Sequence, residues 1–116
     1  MPRSSLLPSA SLHIVLALLE GEKHGYALIG DVERISDGAI KMGPGTLYGT
    51  VKRLLSDGLI EETTAARNDS EPGDERRRYY RLTADGVRVA STELARLETL
   101  VRRVRRFRPD AGVQPA

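Results

Sequence analysis

Gly43-Pro44-Gly45-Thr46-Leu47-Tyr48-Gly49-Thr50-Val51-Lys52-Arg53-Leu54-Leu55-Ser56-Asp57-Gly58-Leu59-Ile60 is the stretch on which the reading of this chain turns. Pro44 between two glycines forms a turn that leads into a helix. Gly58, following Asp57, is placed to end that helix, and Leu59 behind it supplies the apolar contact of a glycine cap. Between these stops, Leu47, Val51, Leu54 and Leu55 fall at i, i+4, i+7 and i+8, a single apolar stripe. At about 100° per residue, Gly45, Thr46, Gly49, Lys52, Arg53 and Ser56 lie opposite the stripe, with Tyr48 on its flank.

That outward face is small or basic and meets no acid before Asp57. An ordinary solvated face, the bland alternative, mixes both signs and carries bulkier side chains. Glycines and a threonine let the backbone approach something closely, and two cations indicate that it is anionic. A helix that enters a DNA groove needs such a face. Thr46, Tyr48, Lys52 and Arg53 are the candidates for contact with bases or phosphates, with Gly49 allowing close approach. The free amides near Gly45 and Thr46 are suited to a phosphate at the helix N-terminus.

Three motifs in order give the reading a family. Gly45-Thr46-Leu47-Tyr48, Arg53-Leu54 and Asp57-Gly58-Leu59-Ile60 resemble the recognition helix of the phenolic acid decarboxylase regulator (PadR) family. His24-Gly25-Tyr26 before it, and Tyr79-Tyr80-Arg81-Leu82-Thr83-Ala84-Asp85-Gly86 after it, match as well. The resemblance runs from about Leu12 to Arg108; Gly49 departs from it, standing where members often carry proline. It implies a winged helix-turn-helix transcriptional regulator, acting as a homodimer and often a repressor relieved by a small molecule.

Composition is compatible. With 116 residues, 40% hydrophobic and 29% charged, the chain fits one soluble domain near the small end. Without cysteine there is no disulfide or thiolate metal site. The net charge of +2 describes no polycation that coats nucleic acid indiscriminately, so DNA binding must rest on a few placed cations. The first apolar run is too short to span a bilayer and lacks a cleavage site, so the cytoplasm and no membrane are expected.

Outward from the central stretch, a first helix is expected from Ser9 to Gly21, apolar on two sides. Its stripe, Leu12, Val15, Leu16 and Leu19, calls for one neighbour, and Ile14 and Leu18 for another. A second helix over His24–Ser36, closing at Asp37-Gly38, places Tyr26, Ile29, Val32 and Ile35 toward the core. His24 reads as a helix-start contact, Gly25 and Gly30 as sites of close packing. Helices two and three form the helix-turn-helix, and Lys41 just ahead of helix three is placed to reach a phosphate.

Leu59–Arg67 and Arg76–Leu82 read as two strands joined by an acidic loop, a wing whose base carries Arg76, Arg77 and Arg78. These either touch DNA or pair with the neighbouring acids. Thr83 is the expected N-cap of a last helix about 36 Å long. There Val87, Ala90, Leu94, Leu97, Val101 and Val104 recur at spacings of 3 and 4, a heptad seam. Together with Leu12, Val15 and Leu16 they are the expected dimerisation surface.

Two histidines and no cysteine assemble no catalytic triad and no metal site, so neither an enzyme nor a cofactor is expected. The predicted organisation is mainly α with a small antiparallel β-hairpin. Residues 1–82 form a winged helix-turn-helix, 83–108 a dimerisation helix and 109–116 a disordered tail. The expected partners are double-stranded DNA carrying a pseudo-palindromic operator, a second copy, and a small hydrophobic effector at the dimer interface, as the resemblance implies. The rival is a winged-helix module that binds protein and no DNA.

Overall fold

Ser9–Leu18 forms the first helix, α1, with Ile14, Val15, Ala17 and Leu18 buried. Its apolar surface on two sides makes it the hub of the fold, described over residues 7–63 and 78–107 in a computed structural model. A short strand, β1 (Lys23–His24), leads into α2 (Gly25–Ile35) and then α3 (Pro44–Ser56). Strands β2 (Ile60–Thr63) and β3 (Tyr79–Leu82) precede a long helix, α4 (Ala84–Arg105). Helix α1 packs against α2, α3, α4 and β3. The expected wing tip, with Arg76 and Arg77, and the expected tail lie outside the described residues.

The three strands form an antiparallel sheet in the order β1-β3-β2. Ile60 pairs with Leu82 and Thr63 with Tyr79, so the two expected wing strands are antiparallel neighbours over their described residues. Alternation along β3 buries Tyr80 and exposes Arg81. Strand β1 was not anticipated: two residues carry no periodicity, and Lys23 and His24 are extended because they pair with Tyr80 and Tyr79.

Local chemistry sets the joints. Helix α2 starts at His24, whose ring nitrogen accepts the Ala27 N–H at 3.3 Å. It ends with Asp37 and Gly38 both at positive φ, 57° and 83°. Helix α3 ends as the sequence indicated: Gly58 has φ 77°, and the Gly58 and Leu59 amides donate to the Leu55 and Leu54 carbonyls at 3.0 Å. The Thr83 hydroxyl caps α4 by accepting the Gly86 N–H at 3.0 Å, and donates to the Gly58 carbonyl at 2.7 Å. Gly86 lies so close to the Leu59 carbonyl that a β-carbon would collide with it.

Several expectations are corrected. Tyr26 is exposed and Leu28 joins the expected Val32 in the core from α2, because the buried face is turned part of the way toward Gly25 and Leu28, leaving Ile29 and Ile35 half-buried at its edge. Gly30 is open on its outer side and serves no close approach. Val15 and Ala90, assigned to a dimer surface, are fully buried in the chain's own core. Ala90 is small enough for α4 to lie directly on the core that contains Val15. Glu93, one turn further, is 1% exposed and pairs with Arg96 at 2.7 and 3.2 Å. The guanidinium, helped by a backbone contact from Leu7, holds its carboxyl below the usual range against the effect of burial.

An unforeseen ring of ion pairs ties the turn after α1, and β1, to α2. Lys23 meets Glu20 at 2.8 Å and Asp31 at 2.7 Å, and Arg34 meets the same two carboxylates at 3.0 Å. Single exposed pairs contribute at most about 1 kcal/mol, but a closed ring fixes geometry through shared partners.

Candidate nucleic-acid interface

Helix α3 is held from below by Leu47, Val51 and Leu54, at 0, 2 and 1% exposure. The turn before it is anchored by buried Met42 and by the Ser36 hydroxyl, which accepts the Ile40 N–H at 2.9 Å. Gly43 is the N-cap residue and offers no side chain, and Pro44 has no N–H. The first intrahelical bond runs from Leu47 to Gly43 at 2.9 Å. The Gly45 and Thr46 amides therefore point out of the helix end without a partner among the described residues.

Gly45, Thr46, Gly49, Lys52 and Arg53 are all exposed on one side of α3, with open space around both glycines. The Thr50 hydroxyl donates back to the Thr46 backbone carbonyl at 2.9 Å, and Thr46 itself is exposed. Tyr48 does not join this face, contrary to its assignment. Its hydroxyl packs against Gly25, which has no side chain to obstruct it, and its ring meets Tyr26 edge-on at 6.4 Å. Burial, with Tyr26 beside it, pushes the Tyr48 hydroxyl above the usual phenol range. Tyr48 thus sets the spacing of α2 and α3, while exposed Tyr26 reaches the surface next to it. The signal for this swap was the Gly25-Tyr26 pair, which places a vacancy and a ring side by side.

The cations separate into two kinds. Arg78 pairs with Glu62 at 2.9 Å, Arg81 with Glu61 at 2.8 Å, and Lys41 lies 4.0 Å from Glu33. Arg78 at the wing base thus engages an acid on the neighbouring strand. Lys52 and Arg53 have no carboxylate partner among the described residues, so their charge is directed outward.

On α4 the expected seam divides. Beyond buried Ala90, Val87, Leu94, Val101 and Val104 are 36–48% exposed, Leu97 is half-buried, and Leu12 and Leu16 on α1 are half-buried. Leu100, absent from the expected set, is exposed beside them; its place three residues after Leu97 was the available signal. An open groove of about 520 Å³ runs along Leu94, Leu97 and Val101, with Glu98, Arg102 and Arg105 on its border.

A helix-turn-helix followed by a two-stranded wing and a long terminal helix defines the winged helix-turn-helix class. The profile of the transcriptional regulator PadR-like family matches residues 15–92, and the chain belongs to that family of DNA-binding regulators. It is 39% identical over 93 residues to the transcriptional regulator Rv3488 of Mycobacterium tuberculosis, covering 80% of this chain and 79% of that protein. It is 33% identical over 95 residues to an uncharacterized 37.1 kDa protein in transposon Tn4556 of Streptomyces fradiae, covering 82% of this chain and 25% of that one. The chain thus spans about a quarter of the Streptomyces protein. Among solved structures, a PadR family transcription regulator from Clostridium difficile superposes with a TM-score of 0.66 at 20% identity, over 86% of this chain and 98% of that one. A transcriptional regulator from Clostridium thermocellum gives 0.65 at 24% identity, over 84% and 88%. At these identities the structural likeness carries the fold alone. No helix among the described residues is long and apolar enough to cross a membrane.

Proposed function

We propose that the chain is a homodimeric repressor that recognises a pseudo-palindromic operator through α3, with residues 1–82 as the DNA-binding unit and 83–108 as the dimerisation helix. The observation that supports it most is the pair of outward cations, Lys52 and Arg53, without acid partners on a face otherwise made of glycine and threonine. In this reading α3 enters the major groove. The Gly45 and Thr46 amides meet a phosphate at its N-terminus, while Thr46, Lys52 and Arg53 reach base edges or neighbouring phosphates. Lys41 and the wing-base arginines Arg76, Arg77 and Arg78 lie along the backbone, Arg78 after exchanging Glu62 for phosphate. The exposed seam from Leu94 to Val104 meets its copy in the second subunit, which sets two recognition helices about 34 Å apart for successive major grooves.

The test is equilibrium binding to duplex DNA drawn from the chain's own upstream region, across a salt series. The expected result is sequence-specific binding whose affinity falls steeply with salt. Weak, salt-insensitive association would favour the protein-binding module instead. Regulation follows the same geometry: a small hydrophobic effector in the groove along Leu94, Leu97 and Val101 alters the spacing of the two heads. Its differential affinity for the two spacings limits its effect, so operator binding weakens by about ten- to a hundredfold and effector affinity falls equally when operator is present.

A further inference from the structure

The last two turns of α4 carry a second set of unpaired cations, in a place the operator contact does not use. At about 100° per residue, Arg105, Arg102, Arg106 and Arg103 follow one another around an arc of about 160°. The remaining arc holds Phe107, Leu100, Val104 and Val101, which are 76, 48, 44 and 48% exposed. None of the four arginines has a carboxylate partner among the described residues, and Arg106 lies over the Phe107 ring at 5.5 Å. This contrasts with the first half of the same helix, where Arg88 pairs with Asp85 and Arg96 with Glu93.

Like charges three and four residues apart on a helix repel one another and weaken it. The helix dipole rewards cations only modestly and only in the final turn. Four guanidiniums on one arc therefore form a surface fitted to an external polyanion. The apolar arc continues the seam that a second copy covers in the proposed dimer, so it is not free to enter lipid; Arg102 and Arg105 border that seam beside Glu98, and Arg103 and Arg106 point away from it. The other end of α4 is fastened to the C-terminus of α3 through Thr83 and Gly58. The arginines stand about 30 Å from that joint along the helix, beyond a Debye length of about 8 Å at physiological salt. A duplex held at that end of the same chain's α3 is thus out of their reach.

We propose that the arginine arc at the end of α4 binds the phosphate backbone of a second DNA duplex, so that an operator-bound dimer bridges two DNA segments. Guanidinium forks suit phosphate oxygens and need no base sequence, so the second duplex is bound without sequence preference. The inference rests on the dimeric, operator-binding reading above.

The experiment uses the full chain, first saturated with a fluorescent operator duplex. It is then mixed with an immobilised 40-base-pair duplex lacking the operator sequence, and retained fluorescence is measured across a salt series. Wild-type protein is expected to retain the operator duplex at low salt and release it as salt rises. The variant carrying Arg102→Gln, Arg103→Gln and Arg106→Gln keeps helix-favouring side chains. It should bind operator within twofold of wild type, sediment as a dimer, and lose at least tenfold of the bridging. A Lys52→Gln, Arg53→Gln variant should do the reverse, losing operator affinity while still binding the immobilised duplex through α4. Protein that binds no duplex at all overturns the functional reading. Protein that binds one duplex and never a second, or a triple variant that bridges like wild type, overturns this inference alone. Arginine-dependent capture on phosphatidylglycerol vesicles without bridging would also overturn it, assigning the arc to lipid.

Discussion

Helices α3 and α4 carry the same kind of stripe, apolar residues three and four apart, and the fold treats them in opposite ways. Leu47, Val51 and Leu54 on α3 are sealed by α1, α2 and β2, while Leu94, Val101 and Val104 on α4 remain at least a third exposed. A helix apolar stripe is a request for a neighbour; it does not say whether that neighbour lies in the same chain. What separates the two is length and position. Helix α3 has 13 residues and is bracketed on both sides by chain that folds back, whereas α4 has 22 and outruns the domain after Glu93.

The largest effect should come from removing the sealed stripe. Leu54→Ala leaves a cavity in a packed site and should cost about 2–5 kcal/mol of unfolding free energy at any protein concentration. Val101→Ala, by contrast, should lower stability only where chains are concentrated enough to associate. Denaturant titrations at two concentrations check both, and a concentration-independent loss for Val101→Ala would erase the distinction.

Next in size is Leu97→Glu, which places a carboxylate in the exposed seam. It should raise the dimer dissociation constant by at least a hundredfold, about 2.7 kcal/mol, while circular dichroism retains the helical signal. Sedimentation velocity reads this directly, and a folded wild-type monomer at micromolar concentration would remove the seam from consideration.

Lys52→Ala and Arg53→Ala address the outer face of α3. Each should weaken operator binding by about 1–3 kcal/mol and alter sequence preference, with melting unchanged. A uniform loss across all duplexes would mean that these side chains touch phosphate only. Thr83→Ala is expected to have the smallest effect, about 1 kcal/mol, because it removes the cap of α4 and leaves the Gly58 carbonyl without its hydroxyl donor. Its melting temperature should fall by several degrees, and an unchanged value would mean that water replaces the hydroxyl at both positions.

The sequence carried the helices, the hairpin and their stops because those depend on near neighbours. The Gly58 cap, the Thr83 cap and the His24 contact all act within a few residues. It carried less wherever a side chain's fate depends on a distant surface. Tyr26 and Leu28 are two positions apart, both apolar and on opposite sides of α2, and the packing of α1 and α3 against that helix decides which of them is covered. Val15 and Ala90 fit the seam by spacing, yet contact between α1 and α4 consumes them. The ring of Glu20, Lys23, Asp31 and Arg34 was unreadable because Glu20 and Arg34 are separated by 14 positions. On α3 the outward placement of Gly45, Thr46, Lys52 and Arg53 followed from helical geometry, since a stripe buried on one side fixes what lies on the other.

The joint at Thr83 turns α4 into a lever. Its hydroxyl and the Leu59 carbonyl pressed against Gly86 fix the helix to the end of α3, buried Ala90 and Glu93 hold its first turns on the core, and about 18 Å of helix extends beyond them. A rotation of about 10° where the helix leaves the core displaces the far end by about 3 Å, a quarter of the roughly 12 Å width of a major groove. Read in the other direction, with the far ends clasped between two subunits, the same small angle moves each recognition helix out of alignment with its groove. Stiffness at that joint and at the buried turns behind it thus sets how faithfully a change between subunits is delivered to DNA in the proposed dimer.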